Sequence, residues 1–175
     1  DRLAEFLSQE ISNKDIFVIN RSFEAPLEVV YNMWSNPKQL SQWLPPTGAT
    51  MNFIRADIRS KGEIFYQMRG ADNSKMYGKV NYLELTKPNR IVYTQIFCDE
   101  KEKVSRHPMA QTWPETMLTT IQFYKEDENQ TRVSVTWAPY GKTTKEEVET
   151  FIAARGGMTQ GWTGPFDKLD DYIKT

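Results

Sequence analysis

Residues 156–173 read GGMTQGWTGPFDKLDDYI, and this stretch decides the fold. Its four glycines and one proline weaken helices, yet bulky apolar residues keep helical spacing straight through them. Projected at about 100° per residue, Val148, Phe151, Ile152, Met158, Trp162, Phe166, Leu169 and Ile173 make one stripe. Thr144 and Glu147 have capping-box spacing ahead of it, with Thr143 and Glu146 as the alternative. A helix of about 30 residues follows, and its stripe needs a large apolar partner. Gly157 and Gly161 are expected to clear one side for a strand backbone or loop, with Trp162 filling the room beside them. Pro165 is expected to bend the helix.

The partner lies upstream. Strands are expected at about 50–58, 62–70, 75–85, 89–98, 116–125 and 130–138, punctuated by Gly62, Asp72-Asn73, Pro88-Asn89 and Glu128-Asn129. No helical segment separates them, so the sheet is antiparallel and built from neighbours. A further strand, DIFVINRSFEA, puts Phe17, Ile19 and Phe23 on one face, with Arg21 interrupting. Two short helices follow it. Pro26 suits a first helical position, with Val29, Val30, Met33 and Trp34 as the apolar side. Asn36 caps the second helix ahead of Pro37, and Pro45-Pro46 stops it. Leu3, Phe6, Leu7 and Ile11 mark residues 1–14 as a helix or arm before one domain spanning 15–175.

Composition narrows the functions. The net charge is -1, from 22 basic and 23 acidic residues, so no broad field attracts nucleic acid. Cys98 and His107 are each the single residue of their type, which excludes an intrachain disulfide and a His- or Cys-built metal site. No cofactor is expected. No apolar run approaches the roughly 20 residues of a membrane span, and no signal peptide is visible, which favours the cytoplasm. The sequence begins at Asp1, so a removed leader stays open. Gly141-Lys142-Thr143 resembles a phosphate loop, but Thr136 stands where its first glycine belongs, so nucleotide binding is not expected. Cys98 and His107 flank one loop as a conceivable dyad, though with no cationic cluster fixed beside it the thiol reads as incidental.

Three stretches carry a family resemblance. MTQGWTGPFDKLDDYI, FEAPLEVVYNMWSNPKQLSQWLPP, and HPMAQTWPETMLTTIQF followed by TRVSVTWAPY resemble the START-like, or SRPBCC, superfamily. The branch they are most similar to is the activator of heat-shock protein ATPase, over roughly residues 15–175. The resemblance implies an α+β helix-grip fold. Its parts are a curved antiparallel sheet of about seven strands, two short helices after the first, and a long C-terminal helix packed across it. It also implies a cavity between sheet and helix, with Trp43, Trp113 and Trp137 near the cavity or its mouth.

The candidate cavity residues are Trp43, Tyr66, Met68, Trp113, Met117, Trp137, Phe151, Arg155, Met158 and Trp162. Alternation along GEIFYQMR places Ile64, Tyr66 and Met68 on one face and Phe65 on the other, without saying which points inward. Arg155 falls near the stripe centre, where a guanidinium needs a carboxylate, carbonyls, water or an anionic ligand. The long polar segment from Asp99 to Glu115 carries Trp113 and is expected to act as a lid, with Arg155 beneath it for an acidic or carbonyl head group. The leading functional expectation is a non-catalytic domain binding an apolar or lipid-like molecule. The alternative is a partner module acting on a chaperone ATPase or another protein, and a polyketide cyclase or hydrolase type of enzyme ranks third.

Overall fold

The computed structural model describes residues 15–107 and 110–175. The expected arm of residues 1–14 lies outside them. Seven strands form one sheet: β1 (Phe17–Phe23), β2 (Thr50–Ala56), β3 (Glu63–Arg69), β4 (Lys75–Thr86), β5 (Arg90–Cys98), β6 (Thr116–Asp127) and β7 (Gln130–Pro139). Their spatial order is β1-β7-β6-β5-β4-β3-β2, and each neighbouring pair is antiparallel. Successive hairpins from β2 to β7 build the sheet, and β1 closes its far edge against β7. Helices α1 (Leu27–Ser35) and α2 (Pro37–Trp43) fill the connection from β1 to β2, and α3 (Lys145–Ile173) ends the chain. This is the expected α+β helix-grip arrangement.

Local signals explain the helix boundaries. The Asn36 side chain accepts from the Lys38 N–H at 3.0 Å, capping α2 ahead of Pro37. The Thr144 hydroxyl accepts from the Glu147 N–H at 3.1 Å, which selects Thr144 over Thr143 as the cap of α3. Pro26 is the N-cap of α1 rather than its first helical residue, because its ψ of 151° is extended. Val29, expected on the apolar side, is exposed, and Tyr31 is buried. The buried stripe of α1 therefore runs Val30, Tyr31, Met33 and Trp34, with the Tyr31 ring edge-on to Phe123.

The core gathers where α1, α2 and the C-terminal half of α3 meet the sheet. Phe166 and Leu169 are fully buried, and Phe166 meets Phe23 and Trp34 at ring-centroid distances of 5.6 and 6.2 Å. A second cluster gathers Phe17, Met117, Phe151 and Met158 near the start of α3. The helix runs unbroken through Pro165. Its glycines do not serve close packing as expected. A Cβ at Gly156, Gly157, Gly161 or Gly164 would meet nothing within 4 Å. The cause is where α3 lies: its closest approaches are to α2, β1 and β7. The concave face of β3, β4 and β5 is left without a helix directly upon it.

Candidate functional site

That uncovered face is the floor of a partly open cavity of about 570 Å³. Tyr66 and Met68 from β3, Tyr82 from β4, and Tyr93 and Gln95 from β5 form the floor. Trp137 of β7 and Met158, Gly161 and Trp162 of α3 form the opposite wall. Five of the seven methionines line it, namely Met51, Met68, Met76, Met117 and Met158. Thioether side chains are flexible and polarisable, so such a wall adapts to more than one shape.

One glycine does make room here, and it lies in a strand. Tyr66, Gly78 and Phe97 are register partners across β3, β4 and β5. A Cβ at Gly78 would collide with the hydroxyl and ring carbons of Tyr66. The missing side chain lets the phenol lie across β4 and reach β5. There Gln95 Nε2 donates to the Tyr66 hydroxyl at 2.7 Å. Burial pushes the Tyr66 phenol up to about 12, against the weaker opposing effect of that bond. Burial likewise pushes Tyr93 up to about 12 and raises Tyr82. The floor therefore presents neutral hydroxyls at physiological pH.

The other face of β3 is covered. Phe65 is 4% exposed, stacked on Tyr77 and overlain by the Arg55 guanidinium at 5.5 Å. Arg55 pairs with Glu63 and Glu102, and Lys79 reaches Glu102 at 3.1 Å. Glu102 thus fastens the start of the β5–β6 loop to the convex side of the sheet. Its carboxyl is held below the usual range by bonds from Arg55 and Lys79.

The far end of the same loop is fastened to α3. Arg106 donates to the Trp113 carbonyl at 3.0 Å and to Glu147 Oε2 at 3.3 Å. Glu147 also accepts from the Glu115 N–H at 3.3 Å, and Thr112 and Thr150 share a hydrogen bond of 2.8 Å. Burial pushes the Glu147 carboxyl up, but the bonds from Arg106, Glu115 and Thr144 outweigh it, and it sits below the usual range. Tied this way, the loop lends His107, Ala110, Trp113 and Pro114 to the cavity wall. Trp113 lies 5.9 Å from Trp137 and 6.0 Å from Phe151 between ring centroids.

Of the ten candidate residues, Tyr66, Met68, Trp113, Met117, Trp137, Met158 and Trp162 line the cavity. Three lie elsewhere. Trp43 is fully buried against Trp34, and its indole N–H donates to the Met33 carbonyl at 3.1 Å. Phe151 is fully buried behind Trp113 and Trp137. Arg155 turns to the chain just before β1, donating to the Ile16 carbonyl at 3.2 Å and the Ile152 carbonyl at 3.4 Å. It does not line the cavity. Wall residues outside the candidate set include Tyr93, Gln95 and His107, the last read only as part of the loop and of a conceivable dyad, and Gly78 lies under the Tyr66 ring. Alternation along RIVYTQIFC already puts Ile91, Tyr93, Gln95 and Phe97 on one face, and that signal would have found two of them. The same alternation turns Cys98 away from the face of Phe97 and Gln95, and burial pushes its thiol up. His107, its conceivable partner, lies instead against Phe97 and Trp113, with burial lowering its imidazole.

Among the described residues no helix is long and apolar enough to cross a membrane, and no group of acidic, His and Cys side chains could hold a metal. The family model described as Activator of Hsp90 ATPase homolog 1-like protein matches residues 24–174. The chain is similar to a solved protein of Mycobacterium smegmatis at 19% identity and TM-score 0.74, covering 92% of this chain and 91% of that one. It is also similar to one of Arthrobacter aurescens at 22% identity and TM-score 0.74, covering 93% and 87%. At these identities the likeness establishes the fold. No curated protein matches the chain.

Proposed function

The chain belongs to the Activator of Hsp90 ATPase homolog 1-like family, within the START-like superfamily, and from that premise we propose that it binds an apolar small molecule without transforming it. One observation carries the reading: α3 leaves the concave face of β3–β5 uncovered, and the space between is a cavity of about 570 Å³. Cavities of roughly 300–1,000 Å³ with few polar groups suit small organic ligands. Seven of the ten sequence candidates stand in its wall. Its polar groups are few, and the Tyr66–Gln95 pair is set deep on the floor rather than beside an activated nucleophile. Packing alone would have filled this volume with side chains.

Native mass spectrometry of protein purified from its own source tests the reading, together with titration by Nile red, a neutral apolar fluorophore. A retained small molecule, or saturable micromolar binding of the dye, is the expected result. A bare protein mass and no saturable binding overturn it. The family description favours a second reading, a module that acts on a chaperone ATPase. A co-purifying protein with an empty cavity supports that one instead.

A further inference from the structure

The cavity wall contains no lysine, arginine or aspartate among the described residues. Its one carboxylate, Glu115, has a side chain 51% exposed and lies 3.8 Å from Arg106. Arg155, the cation expected to meet an acid, is committed to the Ile16 and Ile152 carbonyls. His107, the basic side chain of the wall, is held towards its neutral form by burial, so a carboxylate entering this space would lose its hydration and meet no fixed cation, which is strongly unfavourable.

A neutral polar atom meets a different floor. Gln95 donates to the Tyr66 hydroxyl, whose own hydrogen stays available, while the amide keeps a second N–H and its carbonyl oxygen. If the amide is turned over, the pair still offers both a donor and an acceptor. The pair thus offers neutral donors, with an acceptor beside them, to a neutral polar group on the floor.

We propose that the cavity selects uncharged apolar molecules carrying a carbonyl or hydroxyl oxygen, anchored by Tyr66 and Gln95, and discriminates against carboxylates. The inference rests on the ligand-binding reading above and adds the chemistry of the ligand. Gly78 is part of the anchor, because it alone allows the phenol to cross β4.

Three probes of matched shape test it by quenching of tryptophan fluorescence at pH 7.5: phenanthrene, 9-acetylphenanthrene and phenanthrene-9-carboxylate. The ketone should bind about tenfold more tightly than the hydrocarbon, the factor of one net hydrogen bond, and the carboxylate at least about tenfold more weakly. Tyr66→Phe should bring the ketone down to the hydrocarbon's affinity and leave the hydrocarbon unchanged. Gln95→Leu should act in the same direction, and the ladder of three probes on the unmodified protein needs no variant at all. Carboxylate binding equal to that of the ketone, or variants that weaken all three probes alike, overturns the anchor while leaving the cavity reading intact. Binding of none of the three removes both.

Discussion

The Tyr66 ring lies directly over Gly78, filling the place where any other residue would carry its Cβ. Two strands are thereby matched residue against residue, and the phenol gains a path to Gln95. Gly78→Ala should destabilise the domain by about 1–3 kcal/mol, as forced overpacking does. The colliding group includes ring carbons, so Tyr66→Phe should not relieve the strain, whereas Tyr66→Leu should. Denaturant melts of the two double variants check this. Equal stability of Gly78→Ala and the parent would show that the ring has an alternative seat.

Arg155 serves β1. Its guanidinium closes the carbonyl of Ile16, where the chain enters the first strand beside the N-terminal half of α3. Arg155→Leu should cost about 1 kcal/mol, the net contribution of a typical hydrogen bond. The ratio of medium-chain acid to matched alcohol binding should not change. A selective loss of acid binding would return Arg155 to the site.

Glu147 is 7% exposed and holds the end of the β5–β6 loop through Arg106 and the Glu115 N–H. Its folded carboxyl lies below its ordinary value, so this stabilisation is present above the ordinary carboxylate range and is lost as pH falls through the folded value. Arg106→Leu should therefore cost about 1–2 kcal/mol at neutral pH. The gap between parent and variant should shrink as pH falls below the ordinary carboxylate range and through the folded value, where the carboxyl becomes protonated in both. A gap constant from pH 7 to pH 3 would mean that the charge on Glu147 contributes nothing.

Phe166 and Trp162 separate core from cavity wall along one helix. Phe166 is fully buried between Phe23, Trp34 and Trp162, so Phe166→Ala should cost about 4–5 kcal/mol. Trp162 is partly exposed and lines the cavity, and its loss should cost less, about 2–3 kcal/mol. Thermal and denaturant melts of the two variants give the order. The reverse order would place the core nearer the start of α3.

The fold was legible because its signals are local and periodic. The stripe on α3, the caps at Asn36 and Thr144, and the run of hairpins each depend on residues a few positions apart. The cavity was legible in part, since alternation along β3 groups Ile64, Tyr66 and Met68 and the structure adds only which way they face. What could not be read depends on partners distant in sequence. Arg155 meets a carbonyl 139 residues away, and Gly78 is explained by a ring on another strand. Periodicity places a side chain on a face, but it does not say whether a neighbouring element covers that face. The expectation for Gly157 and Gly161 failed for this reason, since α3 turns other residues towards β1 and β7.

The glycines of α3 supply the last test, because the open space beside them has two different kinds of owner. Gly156 and Gly157 are exposed and lie outside the cavity wall, whereas Gly161 belongs to it. None would suffer a clash on gaining a methyl group. Alanine in a helix interior is favoured over glycine by roughly 0.5–1 kcal/mol, chiefly through the unfolded chain. Gly156→Ala and Gly157→Ala should each stabilise by that amount and leave binding of Nile red unaltered. Gly161→Ala should stabilise equally, but its methyl group enters the space opposite the β3–β5 floor. Affinity for a bulky neutral probe should then fall severalfold, while a small one such as naphthalene keeps its affinity. The pairing of equal stability gains with unequal binding is the diagnostic result, since a purely structural role for the glycines predicts that all three substitutions behave alike. If Gly161→Ala leaves every probe untouched, bound molecules do not reach this turn of the helix, and the occupied part of the cavity lies nearer Tyr66.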